Sequence, residues 1–390
     1  MPGATCRISQ SIAIGPGFIQ QVKVAPGRNE TIEGAGVPRQ KLTSHTPFLR
    51  CKPRWTIGAR SRIEPILRKG RDMSVGPLRI VTIGVSETGA ALRLFRDVVG
   101  LRIESQWEAS RPLLDLWGLD PETTARVTHL SYQGYPSGHL RLVEHDPPAT
   151  QRVRDDLDGP DAAVDVGPKA IDFYANHDLA EAIAEMTAAG FPPRSRPIHY
   201  VIGPTETEEL LFTGPDGVPF LLMVAVNHPA SSHRVQPPGA RYSEIATVSV
   251  ICDDPDTSRR FYGEVLGLNV RSAADVADDL LDVANELVGA PPGTPMHFLV
   301  FNAPPDPSGK YLLVHFYEGT GRRLTGRMHP RNLGISLYTH DVADLDEVLD
   351  RANPDEILAG PSEVPVGGDR YRIAILAGPN EERFEIRQPL

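Results

Sequence analysis

At 390 residues the chain exceeds one ordinary hydrophobic core, so two domains are expected. Its 40% hydrophobic and 23% charged residues suit a globular protein, and no run of about 18 apolar residues offers a membrane span. The net charge of -10 is uneven: residues 1–72 hold 13 Lys/Arg against 4 Asp/Glu, so the body carries -19 and gives no reason to expect nucleic acid as a partner.

Residues 1–73 are rich in Pro, Gly, Ser, Thr and Arg and keep no helical or strand period. They read as a disordered extension, or as sequence upstream of a true start at Met73. A transit peptide is the competing reading, against which stands the lack of an amphipathic helix. Cys6, Cys51 and Cys252 make no CxxC pair and no metal spacing, which suits a reduced, cytoplasmic protein.

After Met73 the pattern turns regular. Leu78 to Val85 alternates as a strand, Thr88 to Val99 carries an apolar helical face, and Gly100 ends that helix. Leu101 to Gln106, Arg126 to Tyr132 and His139 to Glu144 follow as strands, which completes a βαβββ unit. A second unit has strand Ala170 to Ala175, helix Asp178 to Ala189, and strands Arg196 to Ile202, Glu209 to Thr213 and Phe220 to Val226. The third runs through strand Ile245 to Ile251, helix Asp256 to Leu266, and strands Met296 to Phe301 and Tyr311 to Tyr317. The fourth takes Leu333 to Tyr338, helix Val342 to Arg351, Tyr371 to Leu376 and Arg383 to Arg387.

Unit three repeats unit one. LFRDVVGLRIES at 94–105 answers RFYGEVLGLNVRS at 260–272, with Phe95 and Phe261 166 residues apart. Unit four repeats unit two at an offset of 163 to 164 residues, through Asn-His-Asp-Leu-Ala at 176–180 and Thr-His-Asp-Val-Ala at 339–343. A constant offset marks an internal duplication. The expected fold is α+β, with four βαβββ modules paired into two tandem half-barrels. Their bounds are 77–228 and 242–390, joined by the Pro-rich linker 229–241.

The stretch DPDTSRRFYGEVLGL at 254–268 resembles the opening of a vicinal oxygen chelate unit. That superfamily includes glyoxalase I, bleomycin-resistance proteins, methylmalonyl-CoA epimerase and type I extradiol dioxygenases. The resemblance covers the chain after Met73, and the four-unit layout is similar to the two-domain extradiol dioxygenases. It implies sheets curled around a cavity, with a divalent metal held there by a His in first strands and a Glu in last strands. One such scaffold hosts many chemistries.

Carried over residue by residue, most of that ligand set is missing. The first-strand positions fall on Val81, Ile171, Thr247 and Gly334, and the carboxylate positions on Arg141, Leu221, Leu312 and Glu385. A lone carboxylate binds a divalent ion weakly. No cofactor is therefore expected, and Glu385 would serve as a ligand only if a metal binds. The resemblance also implies a cavity role for His297, 50 residues after Thr247. With Tyr371, Arg372 and Glu385 it would form a polar cluster in the second half that moves protons. His297, Glu385 and Tyr371 are the expected catalytic residues. Thr247, Arg372 and Arg141 are the expected substrate contacts, Arg141 for an anionic group. The competing reading makes His297 and Tyr371 ordinary strand residues and Arg141 a surface ion-pair partner.

The function expected on this basis is metal-independent proton transfer, of lyase or isomerase type, on a small hydrophobic or aromatic molecule. One alternative is a metal-dependent ring-cleaving dioxygenase or glyoxalase-like enzyme using Fe, Mn or Zn through relocated ligands, for instance Glu385 with His297 or His315. Another is a protein that binds a small molecule and leaves it unchanged. The expected partner is a small-molecule substrate, with neither nucleic acid nor membrane, and homo-oligomer formation is left open.

Overall fold

The computed structural model describes residues 75–390 except 133, 156–159, 203–204, 230–231 and 320. The expected N-terminal extension, with Cys6 and Cys51, lies outside them. Unit one comprises β1 (Val75–Val85), α1 (Thr88–Leu92, continuing as a π-turn through Arg93–Val98), β2 (Arg102–Glu108), α2 (Arg111–Leu116), β3 (Thr124–Ser131) and β4 (His139–Asp146). A short helix, α3 (Pro160–Ala163), precedes unit two: β5 (Gly167–Tyr174), α4 (Leu179–Ala188), β6 (Ile198–Ile202), β7 (Thr205–Thr213) and β8 (Pro219–Asn227). Unit three holds β9 (Thr247–Cys252), α5 (Pro255–Arg260, again continuing as a π-turn, Phe261–Val265), β10 (Asn269–Asp275), α6 (Asp278–Val288), β11 (Met296–Asn302) and β12 (Lys310–Phe316). Unit four holds β13 (Gly334–Val342), α7 (Leu345–Leu349), β14 (Ile357–Val366), β15 (Asp369–Ala377) and β16 (Arg383–Pro389). The π-turn at the same place in α1 and α5 extends the duplication to a local irregularity of the backbone.

The fold is α+β with two eight-stranded sheets, but the units pair differently from the tandem expectation. One sheet has the order β14-β15-β16-β13-β1-β4-β3-β2 and joins units one and four; the other, β10-β11-β12-β9-β5-β8-β7-β6, joins units two and three. We call them the outer and the inner sheet. The first strand of each unit pairs in parallel with the last strand of its own unit, which leaves one free edge. Only another first strand completes that edge. β1 takes β13 and β5 takes β9, both antiparallel, so the halves 77–228 and 242–390 do not close separately. The route between the sheets is secured by backbone bonds. Val153 N–H reaches Leu333 O and Leu333 N–H reaches Gln151 O, both at 2.8 Å, and buried Arg154 donates to the carbonyls of Ala162, Asp165, Gly167 and Pro168.

Alternation along the strands divides the side chains between two faces. Val81, Ile83, Leu140 and Leu142 of the outer sheet and Ile171, Phe173, Val248 and Leu313 of the inner sheet enter one large core. Helices α1, α4, α5 and α7 pack into it through Phe95, Met186, Phe261 and Val348. Among the elements outside the sequence expectation, α2 and α6 sit between the second and third strands of units one and three and cover the opposite, inner faces. Leu113, Leu114, Leu116 and Trp117 pack on Val127, Val143, Leu337 and Ile375. Leu287 and Val283 of α6 pack on Ile198, Leu211 and Leu221. Among the described residues no helix is long and apolar enough to cross a membrane.

Candidate functional site

The centre of the outer sheet's inner face is a buried ion pair. Arg141 of β4 donates Nη1 to Glu385 Oε1 of β16 at 3.0 Å, and these residues are 1% and 0% exposed. Arg141 also donates Nε to Thr82 (2.9 Å) and Nη2 to Thr339 (3.3 Å). The Thr339 hydroxyl donates to Glu385 Oε1 (3.1 Å) and Trp117 Nε1–H to Oε2 (2.9 Å). The guanidinium carbon lies 5.0 Å from the Trp117 ring centroid. Burial opposes the charge on Glu385, yet Arg141 and Arg387 outweigh it and hold the carboxyl below its usual range. Both oxygens of the family's carboxylate position are thus occupied, and a guanidinium stands where a second ligand would be. Among the described residues no group of three or more His, Cys, Asp or Glu is placed to hold a metal ion. This donor set does not fit the divalent metal of the resemblance.

The expected second-half cluster is not assembled. His297 is on β11 of the inner sheet, bonded through Nδ1 to Asp275 (2.8 Å) at a strand edge, whereas Tyr371 and Glu385 belong to the outer sheet. Tyr371 lies on the side of Arg387, whose guanidinium is 4.5 Å from its ring. Arg372 points the other way and makes a two-pronged pair with Asp346 of α7, 2.7 Å each. Arg141, expected in the first half, meets Glu385, expected in the second, because unit one pairs with unit four. Val81 and Ile171 face the core, and the neighbouring Thr82 and Asp172 occupy the inner faces. A one-residue slip moves a side chain to the other side of a sheet. Thr247 does lie on an inner face, beside Lys310 in the β9–β12 pairing.

The inner sheet carries the richer chemistry. Asp172 of β5, Glu209 of β7, Lys310 of β12 and Tyr174 of β5 are all buried. The Ser249 hydroxyl donates to Asp172 at 3.3 Å. Burial, then the charge of Glu209, pushes the Asp172 carboxyl well above its ordinary value. Burial raises Glu209 to about 7 despite a hydrogen bond from Tyr200. Lys310 is lowered to about 8, first by burial and then by Arg271, with Asp172 opposing. Its Nζ donates to Ser232 O (2.9 Å) in the linker and sits 5.8 Å from the Tyr174 ring. His233 of that linker approaches Tyr174 at 4.8 Å between centroids, and His228 shares a 2.8 Å bond with Thr207. A pocket of about 250 Å³ adjoins Tyr174 and His233 and is bounded by His177 and Glu208. Sequence reasoning passed over Asp172, Glu209 and Lys310 as ordinary strand residues. The available signal was a charge inside an otherwise apolar run, as in Lys169-Ala-Ile-Asp-Phe-Tyr174.

Residues 244–386 match the family model described as Glyoxalase/Bleomycin resistance protein/Dioxygenase superfamily. Three structures of glyoxalase I from Zea mays are similar in fold. Two are mutants, with TM-scores of 0.54 and 0.55 at 13% and 14% identity, and the third gives 0.50 at 14%. Each covers 81% of this chain, and the shares of the maize chains are 94%, 92% and 92%. No curated protein matches the sequence. Residues 244–386 thus carry the match to the Glyoxalase/Bleomycin resistance protein/Dioxygenase model, and the duplicated βαβββ units and the two eight-stranded sheets share the fold of the maize glyoxalase I structures.

Proposed function

We propose that the protein is an enzyme that moves protons on a small apolar or aromatic substrate, as an isomerase or lyase, without a bound metal or other cofactor. Its reacting groups are those of the inner sheet. The observation that carries this reading is the gathering of Asp172, Glu209, Lys310 and Tyr174 on one buried face, of which Tyr174 also lines a pocket. Ionisable groups gathered and shifted by burial are an arrangement that general acid–base catalysis uses. Glu209, ionised above about 7, is the base that removes a proton from carbon next to a carbonyl. Lys310, protonated below about 8, supplies positive charge to the oxyanion that develops. Asp172, held neutral by burial, is a hydrogen-bond donor, and Tyr174 offers a flat wall to an aromatic ring.

The test is deuterium exchange at carbon, followed by NMR over a panel of aromatic and aliphatic carbonyl compounds. Exchange should peak between about pH 7 and 8, because base and acid titrate at those ends. Glu209→Gln and Lys310→Met should each lower the rate by about 100-fold or more. Unchanged turnover in both removes these assignments. Stoichiometric iron in the purified protein, together with catechol ring cleavage, overturns the metal-free reading. A ligand-binding role without catalysis is favoured by the filling of the outer sheet's inner face by α2, and saturable binding with no exchange at any pH would establish it.

A further inference from the structure

A second constellation lies on the outer sheet's inner face, on the far side of the Arg141–Glu385 pair from Arg387. Here β4 ends, β16 begins, the turn after α2 passes and residues 328–331 cross. His145 of β4 is 4% exposed, and both of its ring nitrogens are shut from solvent without a hydrogen-bond partner. The charged and titratable groups around it are Arg331 and His329. Arg331 spends Nη2 on the carbonyls of Pro147 (2.8 Å) and Pro148 (3.2 Å), while its buried Nη1 has no partner. His329 accepts the Arg331 backbone N–H at Nδ1 (3.1 Å), so its neutral ring carries the proton on Nε2 as a further donor. Arg383 stands half-buried at the start of β16 as a neighbour of His329, and among the described residues no carboxylate pairs with its guanidinium. Asp120 is the one acid whose charge reaches His329, more weakly than either arginine.

Buried donors in native proteins find acceptors. Four side chains from three segments converge here with donors to spare, and two guanidiniums repel any cation. We propose that this cluster binds a small oxyanion of the sulfate or phosphate class, held by Arg331, Arg383, His329 and His145. Guanidinium forks match the edge of such an anion, and the imidazoles complete its shell. The site is separate from the proton-transfer face, which belongs to the other sheet.

Binding is coupled to protonation. Without an anion, burial, then Arg331 and His329, holds His145 at about 4. A bound anion favours the imidazolium, so affinity rises as pH falls. Sulfate is the probe of choice, because its own charge is constant over this range. Calorimetric titration of the full chain with sulfate should give tighter binding at pH 5.5 than at pH 8, by up to about tenfold per proton taken up and per pH unit. The His145 ring resonances should shift on addition. Arg383→Gln and His145→Gln should each weaken binding tenfold or more, and Arg383→Lys should recover part of the loss. Phenyl phosphate binding as well as inorganic phosphate would show that the anion can be one end of a larger molecule; exclusion of the ester identifies a free ion. His145 resonances unmoved by 10 mM sulfate, or affinity unchanged in Arg383→Gln with wild-type circular dichroism, overturns the proposal.

Discussion

Arg141→Ala tests the buried pair in the outer sheet most directly. The substitution leaves the Glu385 carboxylate with Trp117 and Thr339 as donors but without the guanidinium 3.0 Å away. At an effective dielectric constant near 20, that attraction is about 5 kcal/mol. Removing one partner of a buried pair costs about 3–5 kcal/mol, because the remaining charge stays desolvated. The sign with pH follows from Glu385. In the intact protein its pKa is depressed, so the pair stabilises the fold above the ordinary carboxylate range and loses that contribution as pH falls through the depressed value. In Arg141→Ala burial dominates and raises the pKa, with Arg387 as the remaining cation. The deficit should then be largest near pH 8 and shrink toward pH 5 as Glu385 takes up a proton, by about 1.4 kcal/mol for each unit of upward shift. Urea unfolding followed by tryptophan fluorescence measures it, since Trp117 lies on the pair. Replacing both partners, Arg141→Met with Glu385→Leu, should recover most of the loss, as apolar substitutes for buried pairs do. A deficit below about 1 kcal/mol at pH 8, or one equal at pH 5 and pH 8, would refute the reasoning.

Other outcomes follow from the same structure. Glu209 has a raised pKa, so its folded form holds a proton that the unfolded chain releases, and stability declines between about pH 4.5 and 7; Glu209→Gln should therefore stabilise the protein by about 2–4 kcal/mol at pH 8 and hardly at all at pH 4.5, even as it removes exchange activity. Trp117→Ala should cost about 3–5 kcal/mol through the cavity it leaves among Val127, Val143 and Ile375, read by the same unfolding assay. Gly138 has φ +71, and a Cβ there would lie 2.4 Å from Ile245 O; Gly138→Ala should lower the melting temperature although it adds only a methyl group, and an unchanged melting temperature would show that this joint yields.

The duplication was legible because its signs are local. A helix face, a terminal glycine and an outgoing strand need only a few neighbouring residues, and Phe95 and Phe261 carry the same arrangement. Sheet pairing was not legible for the converse reason: β1, β5, β9 and β13 present similar edges, and nothing within a strand names its partner. That ambiguity separated Arg141 from Glu385 in the sequence reading, although they touch. Short α2 was missed because six residues span fewer than two helical turns, although Leu113, Leu114, Leu116 and Trp117 formed an apolar cluster. Longer α6 had better signals: Asp278 and Asp279 in its first turn, and Gly289 closing it at φ +81. Thr247 lies on an inner face, whereas Val81 and Ile171 are one residue from the positions that face inward.

The enclosure of one sheet's strands between the other's in chain order has a consequence for how the chain is made. The inner sheet draws only on residues 167 to 316, so it can close as soon as β12 has been synthesised. β1 leads the described chain, yet its antiparallel partner β13 begins at Gly334. For the intervening time β1 presents an open edge to other chains, the exposure that invites strand exchange and aggregation. A ribosome that stalls before residue 334 would release a finished inner sheet tethered to half of the outer one. Premature termination should therefore be far less tolerated here than in a chain whose halves close one after the other, because the last four strands complete the first four.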